Sequence, residues 1–165
     1  MFTRILVPTD FSEPSDAALE YGRTLAERFG ASLNLVHVLE DPVVTGAFGA
    51  EVYVPETPGM HEGLYKDAMM RLEHRMPATL RRELHGTTEI IAGTAAKAIA
   101  EYARDRGMDL IVMGTHGRSG VAHVLMGSVA ERVVRTAPCP VLTVRSEAVP
   151  ATEFVHISAG VEALA

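Results

Sequence analysis

The sequence predicts an α/β fold, an open five-stranded parallel sheet with helices on both faces. Three observations carry that prediction. Candidate strands and candidate helices alternate along the chain. The strands are continuous apolar runs, such as Ile5-Leu6-Val7 and Leu110-Ile111-Val112-Met113, as in a sheet covered on both faces. The latter run ends in Gly114-Thr115-His116-Gly117 and leads, past Gly127-Ser128, into the helical pattern Val129-Ala130-Glu131-Arg132-Val133-Val134.

The elements follow in order. The first strand is read over Arg4 to Pro8, and Ser12 is placed to cap the next helix, with Pro14 in its first turn. Ala18, Tyr21, Gly22, Leu25 and Phe29 recur at helical spacing until Gly30 ends the pattern. The second strand is Ser32 to Leu39. Residues 40–60 hold Pro42, Gly46, Gly49, Pro55, Pro58 and Gly59 without helical or strand period. A stretch beyond ~12–15 residues is long for a structureless loop, so either a flexible flap or plain disorder is expected there. From about His61 to Leu84, Leu64, Ala68, Leu72, Met76, Leu80 and Leu84 stand four apart, and Pro77 should kink or divide that helix. Its methionines read as core filling. The third strand is Thr87 to Ala92, and a helix runs from near Thr94 to Gly107. The fourth strand is Asp109 to Met113 and the fifth Pro140 to Arg145. Residues 1–145 thus form one domain and 146–165 a C-terminal tail. A short strand over Phe154 to Ile157 is one option for the tail, and a frayed terminus is the expected one.

Composition narrows the function classes. The 165 residues are 47% hydrophobic and 22% charged, which marks a folded single domain rather than a disordered chain. A net charge of −6 argues against nucleic acid as a partner, because nonspecific binding needs a basic surface. No apolar run approaches the ~18 residues of a membrane span, and the N-terminus enters a strand without a signal-peptide pattern. Cys139 is the sole cysteine, which fits a reducing cytoplasm, and it reads as a small buried hydrophobe rather than a reactive thiol.

The chemistry is expected at the carboxyl ends of the strands. In an open parallel sheet, ligands bind there, where the strand order reverses. If the chain winds outward from the first strand, with the second and third on one side and the fourth and fifth on the other, the first and fourth strands are neighbours. Pro8-Thr9-Asp10 then faces Met113-Gly114 across a crevice. Glycines at 114, 117 and 127 let backbone amides approach an anion, and the helix that opens at Ser128 leaves amide donors without intrahelical partners. Ser128 and Glu131 also have the spacing of a capping box, a role compatible with donating to a phosphate. Asp10 suits a ribose or a bound metal better than a phosphate, which it would repel, or it forms an Asx turn into the first helix. His116 and Arg118 lie in the glycine loop, where they either offset phosphate charge or are solvated. His37, between Val36 and Val38, reads as a satisfied core or rim histidine. The histidines have no zinc-site spacing, and the phosphate-binding lysine loop, the Gly-x-Gly-x-x-Gly turn and the Gly-x-Ser-x-Gly elbow are all absent. These patterns point to binding rather than turnover.

Gly114-x-x-Gly117, nine residues, then Gly127-Ser128 resembles the nucleotide-binding signature of the universal stress protein family. The resemblance runs from about Phe2 to Arg145 and takes in Arg-Ile-Leu-Val-Pro-Thr-Asp, Leu-Val-His-Val, Asp-Leu-Ile-Val-Met-Gly-Thr-His-Gly and Ala-Pro-Cys-Pro-Val-Leu-Thr-Val. It implies a Rossmann-like sheet of order 3-2-1-4-5, a homodimer formed through the fifth strand, and ATP with Mg²⁺ or Mn²⁺ as ligand. Carried over by position, Pro8, Asp10 and Val38 border the adenine and ribose, with Thr9 between the first two. Gly114, beside Met113, lies near the ribose and phosphates, and Gly117, Gly127, Ser128 and the Val129 amide hold the phosphates. The implied role is a cytoplasmic, ATP-binding stress-response regulator whose nucleotide changes its contacts with a protein partner. Two competing readings stand beside it: a slow ATPase or phosphotransfer enzyme using His116 or Arg118, and a dimeric interaction module in which the glycines are only turns.

Overall fold

A computed structural model of the chain describes residues 1–40, 43–45, 51–53, 60–115 and 128–145. The main sheet is built from β1 (Arg4–Thr9), β2 (Ser32–Leu39), β5 (Thr87–Ala92), β6 (Leu110–Gly114) and β7 (Val141–Val144). Its order is β5-β2-β1-β6-β7 with every pair parallel, which is the expected 3-2-1-4-5 arrangement of the five predicted strands. Two further strands, β3 (Val43–Thr45) and β4 (Glu51–Tyr53), pair antiparallel with each other. They lie where the sequence suggests a flap or disorder, and the reading missed them because three-residue strands are too short to show a period.

The helices are α1 (Glu13–Phe29), α2 (Met60–Arg75), α3 (Ala78–Glu83), α4 (Ala95–Asp105) and α5 (Ser128–Thr136). Alternation along each strand sends successive side chains to opposite faces, and both faces are covered. On one face, Ile5, Val7, Leu33, Leu35 and Val112 meet α1 and α2 through Ala18, Leu19 and Leu72, and Met76 just past the end of α2 joins them. On the other, Leu6, Val36, Ile111 and Met113 meet α4 and α5 through Ile99, Tyr102, Ala103, Ala130 and Val133. Cys139 is partly buried against this second cluster, where burial, with Asp109 adding to it, pushes the thiol above its ordinary pKa. It is a packing residue, as expected.

Pro77 divides the long helical pattern, as its missing amide and fixed φ require, and becomes the N-cap of α3. The four-residue apolar series turns inward only from Ala68 onward, with Leu80 partly buried, since Leu64 is 46% exposed. Gly30 closes α1 in the left-handed conformation at φ 65°, its amide donating to the Ala26 carbonyl.

Candidate functional site

The crevice forms where the topology reverses. β1 and β6 pair through Ile5↔Leu110 and Leu6↔Ile111. Past that point the pairing continues outward, β1 with β2 as far as Thr9↔His37 and β6 with β7 as far as Gly114↔Val144. The carboxyl ends of the two central strands are therefore free of each other, with Pro8-Thr9-Asp10 on one side and Met113-Gly114 on the other.

Three of the expected ligand-bordering residues share a face there. Val38 and Met113 pack into the α4/α5 cluster, Met113 buried and Val38 partly so, and buried Pro8 lies two residues on from Leu6 on the same side. They come from three adjacent strands, β2, β1 and β6. Gly114 is turned the other way. A Cβ built on it would lie 2.9 Å from the carbonyl carbon, carbonyl oxygen and Cβ of Pro14, so glycine is required here by the approach of α1. Thr115, buried beyond it, donates its amide to the Val144 carbonyl at 2.9 Å and anchors the start of the glycine loop.

The β1–α1 connection is densely bonded. Thr9 is buried: its hydroxyl shares a hydrogen bond with Ser15 Oγ at 3.0 Å and accepts the Phe11 amide at 3.0 Å. The Thr9 carbonyl meets Nδ1 of His37 at 2.8 Å, and the His37 ring lies 4.3 Å from that of Phe11. His37 is thus a buried, hydrogen-bonded histidine, as its apolar flanks imply. Asp10 Oδ1 accepts the Ser12 amide at 3.1 Å, the Asx turn that was one reading of this residue. The Ser12 hydroxyl also donates to Asp10 Oδ1. Ser12 does stand at the N-cap of α1, but its side chain makes no cap bond to the helix and its hydroxyl is turned to the Asp10 carboxylate instead.

α5 links two parallel strands and ends four residues before β7, so it runs back along the sheet and its first turn lies at the crevice end. Ser128 and Val129 open that turn, and Val129 is exposed. Glu131 pairs with Arg135 at 2.9 Å. His116, Gly117, Arg118 and Gly127, the rest of the expected phosphate loop, lie outside the described residues, as do the side chain of Ser128 and the tail 146–165.

Three participants had no local signal. Arg75 of α2 donates from Nε and Nη2 to Asp16 at 2.6 and 3.0 Å and from Nη2 to the Phe11 carbonyl at 3.3 Å. Its neighbour one turn back, Arg71, also lies over the Phe11 ring. Glu40, at the end of β2, accepts the Ala95 amide at 2.9 Å and so satisfies a donor at the start of α4.

The universal stress protein family model matches residues 1–145. Universal stress protein MJ0531 of Methanocaldococcus jannaschii is 34% identical over 147 residues, 88% of this chain and 83% of that protein. Universal stress protein YxiE of Bacillus subtilis is 33% identical over 148 residues, 88% of this chain and all of its own length. The solved structure of MJ0577 matches with a TM-score of 0.71 at 27% identity, covering 88% of this chain and 96% of that one. The fold is also that of a universal stress protein solved in complex with cAMP, at TM-score 0.62 and 20% identity over 88% of this chain and 99% of that one.

Proposed function

This chain belongs to the universal stress protein family, and from that premise we propose that it is a regulatory protein that binds ATP in the crevice between β1 and β6. The observation that carries the reading is the divergence of β1 and β6 after Leu6↔Ile111, which sets Pro8-Thr9-Asp10 beside Met113-Gly114 at the carboxyl ends of the strands. The glycine signature continues from that point into the first turn of α5.

In this reading the apolar surface of Pro8, Val38 and Met113 receives the adenine, and the Asp10 carboxylate accepts from the ribose hydroxyls. Gly114, His116, Gly117, Arg118 and Gly127 line the path of the phosphates, and Ser128 and the Val129 amide bind them at the helix end. Among the described residues no group of three His, Cys, Asp or Glu side chains is placed to hold a metal. In this reading Mg²⁺ or Mn²⁺ arrives with the phosphates, which supply its ligands together with water. Binding alters contacts with a protein partner. The working unit is a homodimer joined through β7, which is an edge strand of the sheet with an exposed Leu142. Among the described residues no helix is long and apolar enough to cross a membrane, and the single cysteine suits a cytoplasmic setting.

Calorimetric titration of nucleotide-stripped protein with ATP and Mg²⁺ tests the proposal, run in parallel on Gly117→Val. Saturable uptake that the variant loses is the expected result. A folded protein that takes up no nucleotide would reduce the glycine signature to a set of turns.

A further inference from the structure

The loop that carries Asp10 is held in a conformation its own sequence disfavours. Phe11 has φ 65°, the left-handed region, which is rare for a bulky side chain. Such a residue persists only where its surroundings over-determine it, and these positions gather at functional sites. Besides the local bond from its amide to the Thr9 hydroxyl, tertiary contacts hold it there. The Phe11 carbonyl accepts Arg75 Nη2 at 3.3 Å across 64 residues of sequence. The guanidinium of Arg75 lies 5.0 Å from the Phe11 ring centroid and that of Arg71 lies 5.4 Å away. The ring also packs on His37 at 4.3 Å. Arg75 is itself fixed by two hydrogen bonds to the carboxylate of Asp16 on α1.

We infer that Arg75 is a positioning residue for the nucleotide site: from α2 it pins the carbonyl and ring of Phe11, and through that left-handed residue it sets the orientation of Asp10. The inference rests on the proposed nucleotide reading, in which Asp10 faces the ribose. The physical link is short. Asp10 and Phe11 share a peptide unit, and Asp10 Oδ1 closes its turn on the amide of Ser12, on the far side of Phe11. If Phe11 relaxes to negative φ, that turn opens and the carboxylate leaves its place. Apparent affinity then falls in proportion to the fraction of molecules that keep the competent loop.

The test is a double-mutant cycle on the full chain, titrated with ATP and Mg²⁺: wild type, Arg75→Met, Asp10→Ala and the double variant. Arg75→Met is expected to weaken binding about tenfold, as when the competent loop falls to about a tenth of the population. In the Asp10→Ala background it should have no further effect, because the group it positions is gone. In the free protein the φ-dependent coupling between the Phe11 amide and α protons should change in Arg75→Met and stay put in Arg23→Met, which removes only an exposed ion pair with Glu27. Should Arg75→Met fail to fold, Asp16→Asn frees Arg75 from its other side and should give a smaller loss in the same direction. Equal affinity in wild type and in the variant that folds overturns the inference while the function stands. Losses that add in the double variant do the same. A wild type that binds no nucleotide overturns the functional reading and this inference with it.

Discussion

At Gly114 two reasons for a glycine meet at one position. The sequence places it at the turn where a phosphate would approach, and the structure places the backbone of Pro14 2.9 Å from where its Cβ would be. That neighbour is main chain at the start of α1, which cannot rotate aside as a flexible side chain could. Gly114→Ala should therefore destabilise the protein without any ligand present, by about 1–3 kcal/mol as overpacking of a tight contact does. Urea unfolding of nucleotide-free protein checks this. An unchanged midpoint would assign the glycine to the ligand alone. His37 shows the same logic from the other side, since its Val36 and Val38 flanks announce burial without naming Thr9 and Phe11 as its partners.

Among elements, β7 invites the clearest test. It is four residues long and pairs with β6 along one side, and Leu142 is 38% exposed on it. If two copies join through this edge, a charge there should block the pairing. Leu142→Arg is expected to sediment as a folded monomer, while truncation after Arg145 leaves a folded dimer. A dimer that survives the arginine would move the interface elsewhere, and a monomeric truncation would place it in the tail. Legibility also varied by element. The division of α2 from α3 was readable because Pro77 acts on its own backbone, and the β3–β4 pair was not, because three residues carry no measurable period.

The whole sheet is closed at its opposite end by Asp109, just ahead of β6. Its carboxylate accepts the Thr3 amide and hydroxyl at 2.7 and 2.8 Å and the Arg4 amide at 3.2 Å, tying the N-terminus to the start of the fourth sheet strand. Burial opposes ionisation of this group, and the bonds from Thr3 and Arg4 outweigh it, so its pKa lies below the ordinary carboxylate value. The sign follows from linkage. A carboxylate whose pKa is depressed by folding contributes stability that is present above the unfolded value of about 3.9 and is lost as pH falls through the folded one. The stability advantage of wild type over Asp109→Asn should hold at neutral pH and narrow below about pH 4. Thermal unfolding of both proteins across that range measures it, and an advantage that does not narrow would separate these bonds from the ionised state.

By itself the sequence determined the alternation of strands and helices, the double-sided burial of the strands and the place of the candidate crevice, because apolar runs, proline and glycine act over a few neighbouring residues. The same local logic limited it to offering Asp10 an Asx turn as one option and Ser12 a cap it does not make. Only the tertiary structure decided that Gly114 faces Pro14, that Glu40 serves the start of α4, and that Arg75 reaches the left-handed Phe11 beside Asp10. Those contacts join residues that folding alone brings together. Their free energy depends on distances in space that no spacing along the chain encodes.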